Sequence, residues 1–262
     1  MLGLTVGGKR LNYAHHQGAA QPTPPPLVLI HGAGGNSLHW PGDLRRLPDR
    51  EVYALDLPGH GRSAGPACAD IGAYAEVVRE FADALGLPRF VLAGHSMGGA
   101  IALEFALRHA GRLAGLILVG TGARLPIAPE ILQGVVNDFP GTVSLLADQA
   151  HGIQVDPNLD RIYRRRLREV APAILHADFV ACDAFDRRAD IAAIARRFKS
   201  SALVICGAAD RMTPVEHSRL LAEQIPGAEL LIVPAAGHMV MLEPAGLPLV
   251  VAAVRRFLAQ CA

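Results

Sequence analysis

Gly94-His95-Ser96-Met97-Gly98 places a serine between two glycines, directly after the apolar run Phe90-Val91-Leu92-Ala93. This G-x-S-x-G pattern is the signature of a nucleophile elbow, a sharp strand-to-helix turn that presents a serine hydroxyl at the end of a strand. Sterics account for the glycines, since such a turn leaves no room for side chains two residues before and after the serine. The helix-forming run Ala100 to Leu107 follows, so Ser96 would stand at a helix N-terminus, where unpaired N–H groups favour developing negative charge. Taken alone, the motif also fits an ordinary tight turn.

A serine hydroxyl becomes a nucleophile when an imidazole takes its proton, and the imidazole needs a carboxylate to fix its tautomer. Candidates follow in the order nucleophile, acid, base. Asp210 lies in Gly207-Ala208-Ala209-Asp210-Arg211-Met212-Thr213-Pro214 and His238 in Ala235-Ala236-Gly237-His238-Met239. A tetrahedral intermediate needs two N–H donors. The spacing assigns them to Met97 and to Ala33 of His31-Gly32-Ala33-Gly34-Gly35, with Gly34 as a further candidate donor. Competing roles stand beside these. Asp210 could simply cap the helix begun by Pro214, and His238 could be a core histidine. Asp183 and Asp186 are rival carboxylates, read as capping or solvated. Trp40, His95 and Met239 are candidate substrate contacts, each with packing as the alternative, and Met241 shares that ambiguity. His31 and His60 read as loop-organising hydrogen bonders. In Arg161-Ile162-Tyr163-Arg164-Arg165-Arg166-Leu167-Arg168, a solvated helix competes with an arginine that reaches the pocket mouth and holds an acidic group.

These residues need a sheet to bring them together. Leu2–Val6 and Arg10–His16 read as strands joined by a Gly7-Gly8 turn, and Gln21–Pro26 as a proline-rich loop. Leu27–Ile30, Val52–Leu55, Phe90–Ala93 and Leu116–Val119 are apolar strands, with helices expected around Leu38–Leu47, over Ile71–Leu85 and after the elbow. That alternation is the sequence form of a parallel sheet covered by helices on both faces. From about Ala123 to Ala184 the rhythm breaks into helical stretches. It resumes with a helix over Ile191–Phe198, a strand over Ala202–Cys206, a helix over Val215–Gln224, a strand over Leu230–Val233 and a closing helix over Leu247–Leu258. Ser96, Asp210, His238 and the His31–Gly35 loop then lie just past the ends of strands, where open α/β sheets bind ligands.

From Leu27 to the C-terminus the chain resembles the α/β-hydrolase family. The matching motifs are His31-Gly32, Asp56-Leu57-Pro58-Gly59-His60-Gly61-Arg62-Ser63, Gly94-His95-Ser96-Met97-Gly98-Gly99, Gly207-x-x-Asp210 and Gly237-His238. The resemblance implies an eight-stranded, mostly parallel sheet with antiparallel N-terminal strands and a helical cap inserted after the strand at 116–119. Residues 1–122 and 185–262 would form the core and 123–184 the cap. It also implies a serine hydrolase cleaving a small carboxylic ester through an acyl-enzyme on Ser96. The same triad on a lactone, on a carbon–carbon bond or in a lyase reaction is the alternative, and a ligand-sensing protein without turnover is a remote one. Serine at residue 96 sets the chain apart from the dehalogenases and epoxide hydrolases of this fold, which carry aspartate.

Bulk properties narrow the partners. A formal net charge of +1 gives no electrostatic reason to expect nucleic acid or an anionic membrane. No apolar stretch is long enough to span a bilayer and the N-terminus lacks a signal-peptide pattern. Four dispersed cysteines, Cys68, Cys182, Cys206 and Cys261, suggest reduced thiols and a cytoplasmic protein, and no histidine spacing suggests a metal. The expected partner is a small-molecule substrate, with no cofactor. Oligomeric state is not readable.

Overall fold

A computed structural model describes residues 1–19, 24–198 and 200–261. Residues 21–23 of the expected proline-rich loop lie outside them. The strands are β1 (Leu2–Val6), β2 (Lys9–His16), β3 (Leu27–Ile30), β4 (Val52–Leu55), β5 (Phe90–His95), β6 (Leu113–Val119), β7 (Ser201–Gly207) and β8 (Glu229–Val233). They form one sheet in the order β1-β2-β4-β3-β5-β6-β7-β8. β1 and β2 are antiparallel to their neighbours, while β4, β3 and β5 to β8 run parallel. The β1–β2 turn has φ of 53° at Gly7 and 75° at Gly8, the left-handed pair that a two-residue hairpin of matching twist demands.

The helices are α1 (Gly42–Arg45), α2 (Ile71–Ala84), α3 (Met97–His109), α4 (Pro129–Asn137), α5 (Phe139–Ala150), α6 (Pro157–Arg168), α7 (Pro172–Asp183), α8 (Ile191–Arg197), α9 (Val215–Gln224) and α10 (Leu247–Leu258). The continuous apolar strands follow from two buried faces. Along β3, Val28 and Ile30 join the cluster under α2 and α3, whereas Leu27 and Leu29 face the cluster formed with α1 and α10. The helix expected over 38–47 is instead broken into a short turn at Ser37–His39 and α1. Pro41 is the reason. It holds Trp40 extended, with φ of −86° and ψ of 137°, because the proline ring disfavours helical geometry in the preceding residue.

Between β6 and α8 stand four helices, α4 to α7, with their own apolar cluster of Ile131, Val135, Val143, Leu146, Leu167, Leu175 and Phe179. Ala33 and Met212, from the loops after β3 and β7, pack against that cluster. The four helices therefore lie over the edge at which the parallel strands end. Among the described residues no helix is long and apolar enough to cross a membrane.

Candidate active site

Ser96 has φ of 53° and ψ of −117°. A non-glycine residue in that region costs about 1–3 kcal/mol and persists only where its surroundings over-determine it. They do so here. A Cβ on Gly94 would lie 2.0 Å from the Gly98 carbonyl oxygen, and one on Gly98 would lie 2.4 Å from that of Ile30. Ser96 N–H donates to Val119 O at 2.9 Å, and Thr121 Oγ1 donates to Ser96 O at 2.8 Å. The serine is thus tied to β6 while α3 starts at the next residue.

His238 Nδ1 lies 2.9 Å from Asp210 Oδ2, and both side chains are buried. The carboxylate can only accept, so Nδ1 carries a proton, and in the neutral tautomer the lone pair is on Nε2. Asp210 Oδ1 accepts from Met212 N–H at 2.9 Å and Thr213 N–H at 2.8 Å, and Thr213 Oγ1–H donates to Oδ2 at 2.7 Å. One oxygen shapes the turn and the other faces the imidazole. Helix α9 begins after Pro214 with no side-chain cap, so Asp210 is not its N-cap. Burial alone would raise the Asp210 carboxyl, but the charge and hydrogen bond of His238, with the hydrogen bonds from Thr213 N–H and hydroxyl, hold it below the usual carboxylate range. Of the rival carboxylates, Asp183 accepts from Ile127 N–H and Asp186 pairs with Arg188.

In the loop after β3 the three candidate amides differ. Gly34 N–H donates to Asp178 Oδ2 at 2.8 Å. Its donor is therefore engaged and the extra assignment to Gly34 is corrected. Among the described residues, neither Ala33 N–H nor Met97 N–H donates to a protein acceptor.

Ser96, His238 and Ala33 line one cavity with His39, His95, Leu146, Tyr163, Leu167, Leu175, Phe179, Met212 and Met239. It offers about 30 Å³ of room for water. Across Leu146, Phe179 and Met212 lies a second cavity of about 210 Å³, rimmed by Glu130, Gln149 and Arg211. His95 Nε2–H donates to His238 O at 3.0 Å, so His95 braces the loop of the other histidine. Trp40 is not in the cavity wall. Its indole is 1% exposed and packs with Leu44 and Leu47 beneath the sheet, and Met241 is likewise core.

The arginine run resolves differently from its sharper reading. On α6, Tyr163 and Leu167, four residues apart and hence on one face, point to the cavity. Arg164 pairs with Asp160 and Asp148, Arg165 lies near Glu169, and Arg166 donates to Leu38 O. None of these arginines lines the cavity beside Ser96.

A model of the α/β-hydrolase fold matches residues 25–245. The chain belongs to the α/β-hydrolase family. It is 34% identical over 250 residues to the dihydrolipoyllysine-residue acetyltransferase component of the acetoin cleaving system of Pseudomonas putida, covering 92% of this chain but 65% of that one. The chain therefore spans less than two thirds of that relative's length. It is 30% identical over 262 residues to 2-hydroxymuconate semialdehyde hydrolase of Pseudomonas putida, covering 92% and 89% of the two chains. The structure of a thermophilic esterase superposes with a TM-score of 0.86 at 28% identity, covering 100% of this chain and 98% of the other.

Within this family member, the buried histidines around the cavity carry a stability cost in acid. Burial, then repulsion by neighbouring cations or histidines, lowers His39 and His95 to about 3, and burial with His60 nearby lowers His31 well below 6.5. Their folded values lie below the unfolded one, so between about pH 6.5 and 3 the unfolded chain binds more protons. Stability then falls as pH falls, by up to about 1.4 kcal/mol per pH unit for each histidine. Melting temperature should drop continuously from pH 6.5 towards 4. A flat profile over that range would show that these rings protonate in the fold.

Sequence reading missed four side chains at the site. Thr213 and Tyr163 are local to motifs and could have been found from their spacing to Asp210 and Leu167. Asp178 and Glu243 could not. Glu243, buried, accepts from Gly237 N–H at 3.0 Å and Gly152 N–H at 3.1 Å, holding the loop that carries His238. Burial, the largest influence on its carboxyl, keeps it above the usual range despite those bonds.

Proposed function

We propose that the chain is a serine hydrolase that cleaves small carboxylic esters through an acyl-enzyme on Ser96. The observation that carries this reading is the buried His238–Asp210 pair, whose histidine faces the same cavity as the strained Ser96. His238 Nε2 takes the Ser96 proton as Oγ attacks the ester carbonyl, and Asp210 stabilises the imidazolium that forms. The oxyanion is received by the Ala33 and Met97 amides, the latter at the N-terminus of α3. The imidazolium then protonates the departing alcohol. In the second half-reaction the neutral imidazole deprotonates water as it attacks the acyl-enzyme, and then returns that proton to Ser96 Oγ as the acid leaves. Tyr163, kept a neutral phenol by burial and then by the charge of Asp210, is a hydrogen-bond donor for the substrate. Residues 123–184 serve as the cap that selects it, with His95 and Met239 in the cavity wall. Four free, buried cysteines accord with a reducing compartment such as the cytoplasm.

The cavity wall argues for short acyl groups. Leu146, Phe179 and Met212 separate about 30 Å³ beside Ser96 from the 210 Å³ beyond. Among p-nitrophenyl esters, kcat/KM should peak at acetate to butyrate and fall at least about tenfold by octanoate, because longer chains must displace Leu146, Phe179 or Met212 and overpacking a closed wall costs about 1–3 kcal/mol. Phe179→Ala should join the two cavities and move the optimum to longer chains. An unchanged chain-length profile in that variant would remove Phe179 from the specificity wall.

One relative favours a second reading. 2-Hydroxymuconate semialdehyde hydrolase is matched over nearly its whole length, and the same triad could act on a semialdehyde of that kind. Turnover of such a substrate with kcat/KM well above that for every ester and lactone tested would replace the ester assignment.

A further inference from the structure

The carboxylate that engages Gly34 comes from α7, within the inserted helices. Asp178 is fully buried and accepts three hydrogen bonds from three separate parts of the core. Its Oδ2 accepts from Gly34 N–H at 2.8 Å and lies 2.7 Å from His60 Nε2, while Oδ1 accepts from the Tyr74 hydroxyl of α2 at 2.6 Å. His60 Nδ1 in turn faces Pro58 O at 2.9 Å. A carbonyl and a carboxylate are both acceptors, so both ring nitrogens of His60 must donate and the ring is an imidazolium. Burial would lower the His60 ring, but the hydrogen bond and charge of Asp178 outweigh it and hold the ring above its usual value.

Gly34 is the point at which this pair meets the proposed chemistry. Gly35 N–H donates to Gly32 O at 3.0 Å, closing a turn with Ala33 and Gly34 at its centre, and Gly34 has φ of 61°. In such a turn the central peptide has two orientations, related by a flip that changes ψ of Ala33 and φ of Gly34. One orientation directs Gly34 N–H outward to an acceptor; the other puts the Ala33 carbonyl there. An anionic acceptor at that spot fixes the first and repels the second. The other side is closed by packing, because a Cβ on Gly34 would lie 2.9 Å from Leu175 of the same α7.

We propose that Asp178 is a positioning residue for the oxyanion loop: from the inserted helix α7, and held by the His60 imidazolium, it anchors the Gly32–Gly35 turn through Gly34 N–H and so keeps the Ala33 amide, in the peptide just before it, placed to receive the oxyanion. The inference rests on the ester-hydrolase reading above. It gives the insertion a part in the chemical step as well as in substrate choice. Asp178 does not touch substrate. It acts through the loop, so its loss should appear in transition-state stabilisation more than in ground-state binding.

Asp178→Asn tests this. An amide turned to accept from Gly34 and His60 presents NH₂ to the Tyr74 hydroxyl and has lost the negative charge that holds both donors, and turned the other way it sets NH₂ against Gly34 N–H and favours the flipped peptide. With p-nitrophenyl butyrate, kcat should fall between about 10- and 100-fold, part of the effect of losing an oxyanion donor, with KM within about threefold. The inhibition constant of an aryl trifluoromethyl ketone, which forms the tetrahedral adduct, should rise by the same factor. Tyr74→Phe keeps the Gly34 contact and should lower only the melting temperature. If Asp178→Asn folds and keeps both kcat and ketone affinity within twofold, the proposal is overturned. Should it not fold, His60→Gln carries the test, because it keeps a neutral donor to Asp178 and removes the positive charge. Ketone affinity weakened severalfold in that variant supports the proposal, and unchanged affinity overturns it. Failure of the hydrolase reading looks different: the wild-type protein would neither turn over the ester nor bind the ketone.

Discussion

Ser96→Ala should lower ester turnover by about 10⁴- to 10⁶-fold while leaving the fold intact. The size follows from the division of labour in the site. On the proposed mechanism no acyl-enzyme forms without Oγ, and what remains is the modest help that the Ala33 and Met97 amides would give to direct attack by water. The fold should survive because alanine keeps the Cβ, so the cost of φ at 53° is unchanged. The backbone contacts of Ser96 with Val119 and Thr121 do not involve its side chain. A melting curve matching the wild type, together with lost turnover, is the expected pair of results. Turnover within tenfold of wild type would mean that another group attacks the carbonyl.

Asp210→Asn should cost about 10⁴-fold in kcat. Asparagine's carbonyl oxygen can still accept from Met212 and Thr213, so the turn after β7 is preserved. Its NH₂ then faces His238 Nδ1 at the 2.9 Å position now occupied by Oδ2. Two donors cannot share that contact, so Nδ1 gives up its proton and Nε2 gains one. The ring then presents an N–H to Ser96 and has no lone pair to take the serine proton. Stability should change far less than rate, which separates this loss from unfolding. A drop of less than tenfold in kcat would show that Asp210 does not set the tautomer, and Glu243 would be the next carboxylate to examine.

The parts of this site that could be read from the chain are those whose cause is local. Glycine at 94 reflects a contact within its own turn, and the strand ends before Ser96, Asp210 and His238 follow from short apolar runs between loop residues. These fix the edge at which the residues meet. Contacts made across the chain left no such trace. Asp178 is one of two aspartates in a mostly apolar helix, and its partner Gly34 is 144 positions away. Glu243 lies 91 positions from Gly152. Nothing in either neighbourhood distinguishes a buried carboxylate from a solvated one. The arginine run misled for a related reason. Its charges dominate the composition, yet the face of α6 that meets the cavity is set by Tyr163 and Leu167. At Trp40, Pro41 broke the expected helix, and the indole turned into the core.

The central claim is that Ser96 is the residue that becomes acylated. Mass spectrometry of the protein after reaction with a fluorophosphonate tests it most directly, since the reagent forms a stable adduct only on a serine activated as described. One adduct per chain on the peptide containing Ser96, formed in step with loss of ester turnover and absent from Ser96→Ala and His238→Ala, is the predicted result. Complete loss of turnover with the adduct on a different residue, or continued turnover by a protein labelled at Ser96, would contradict it.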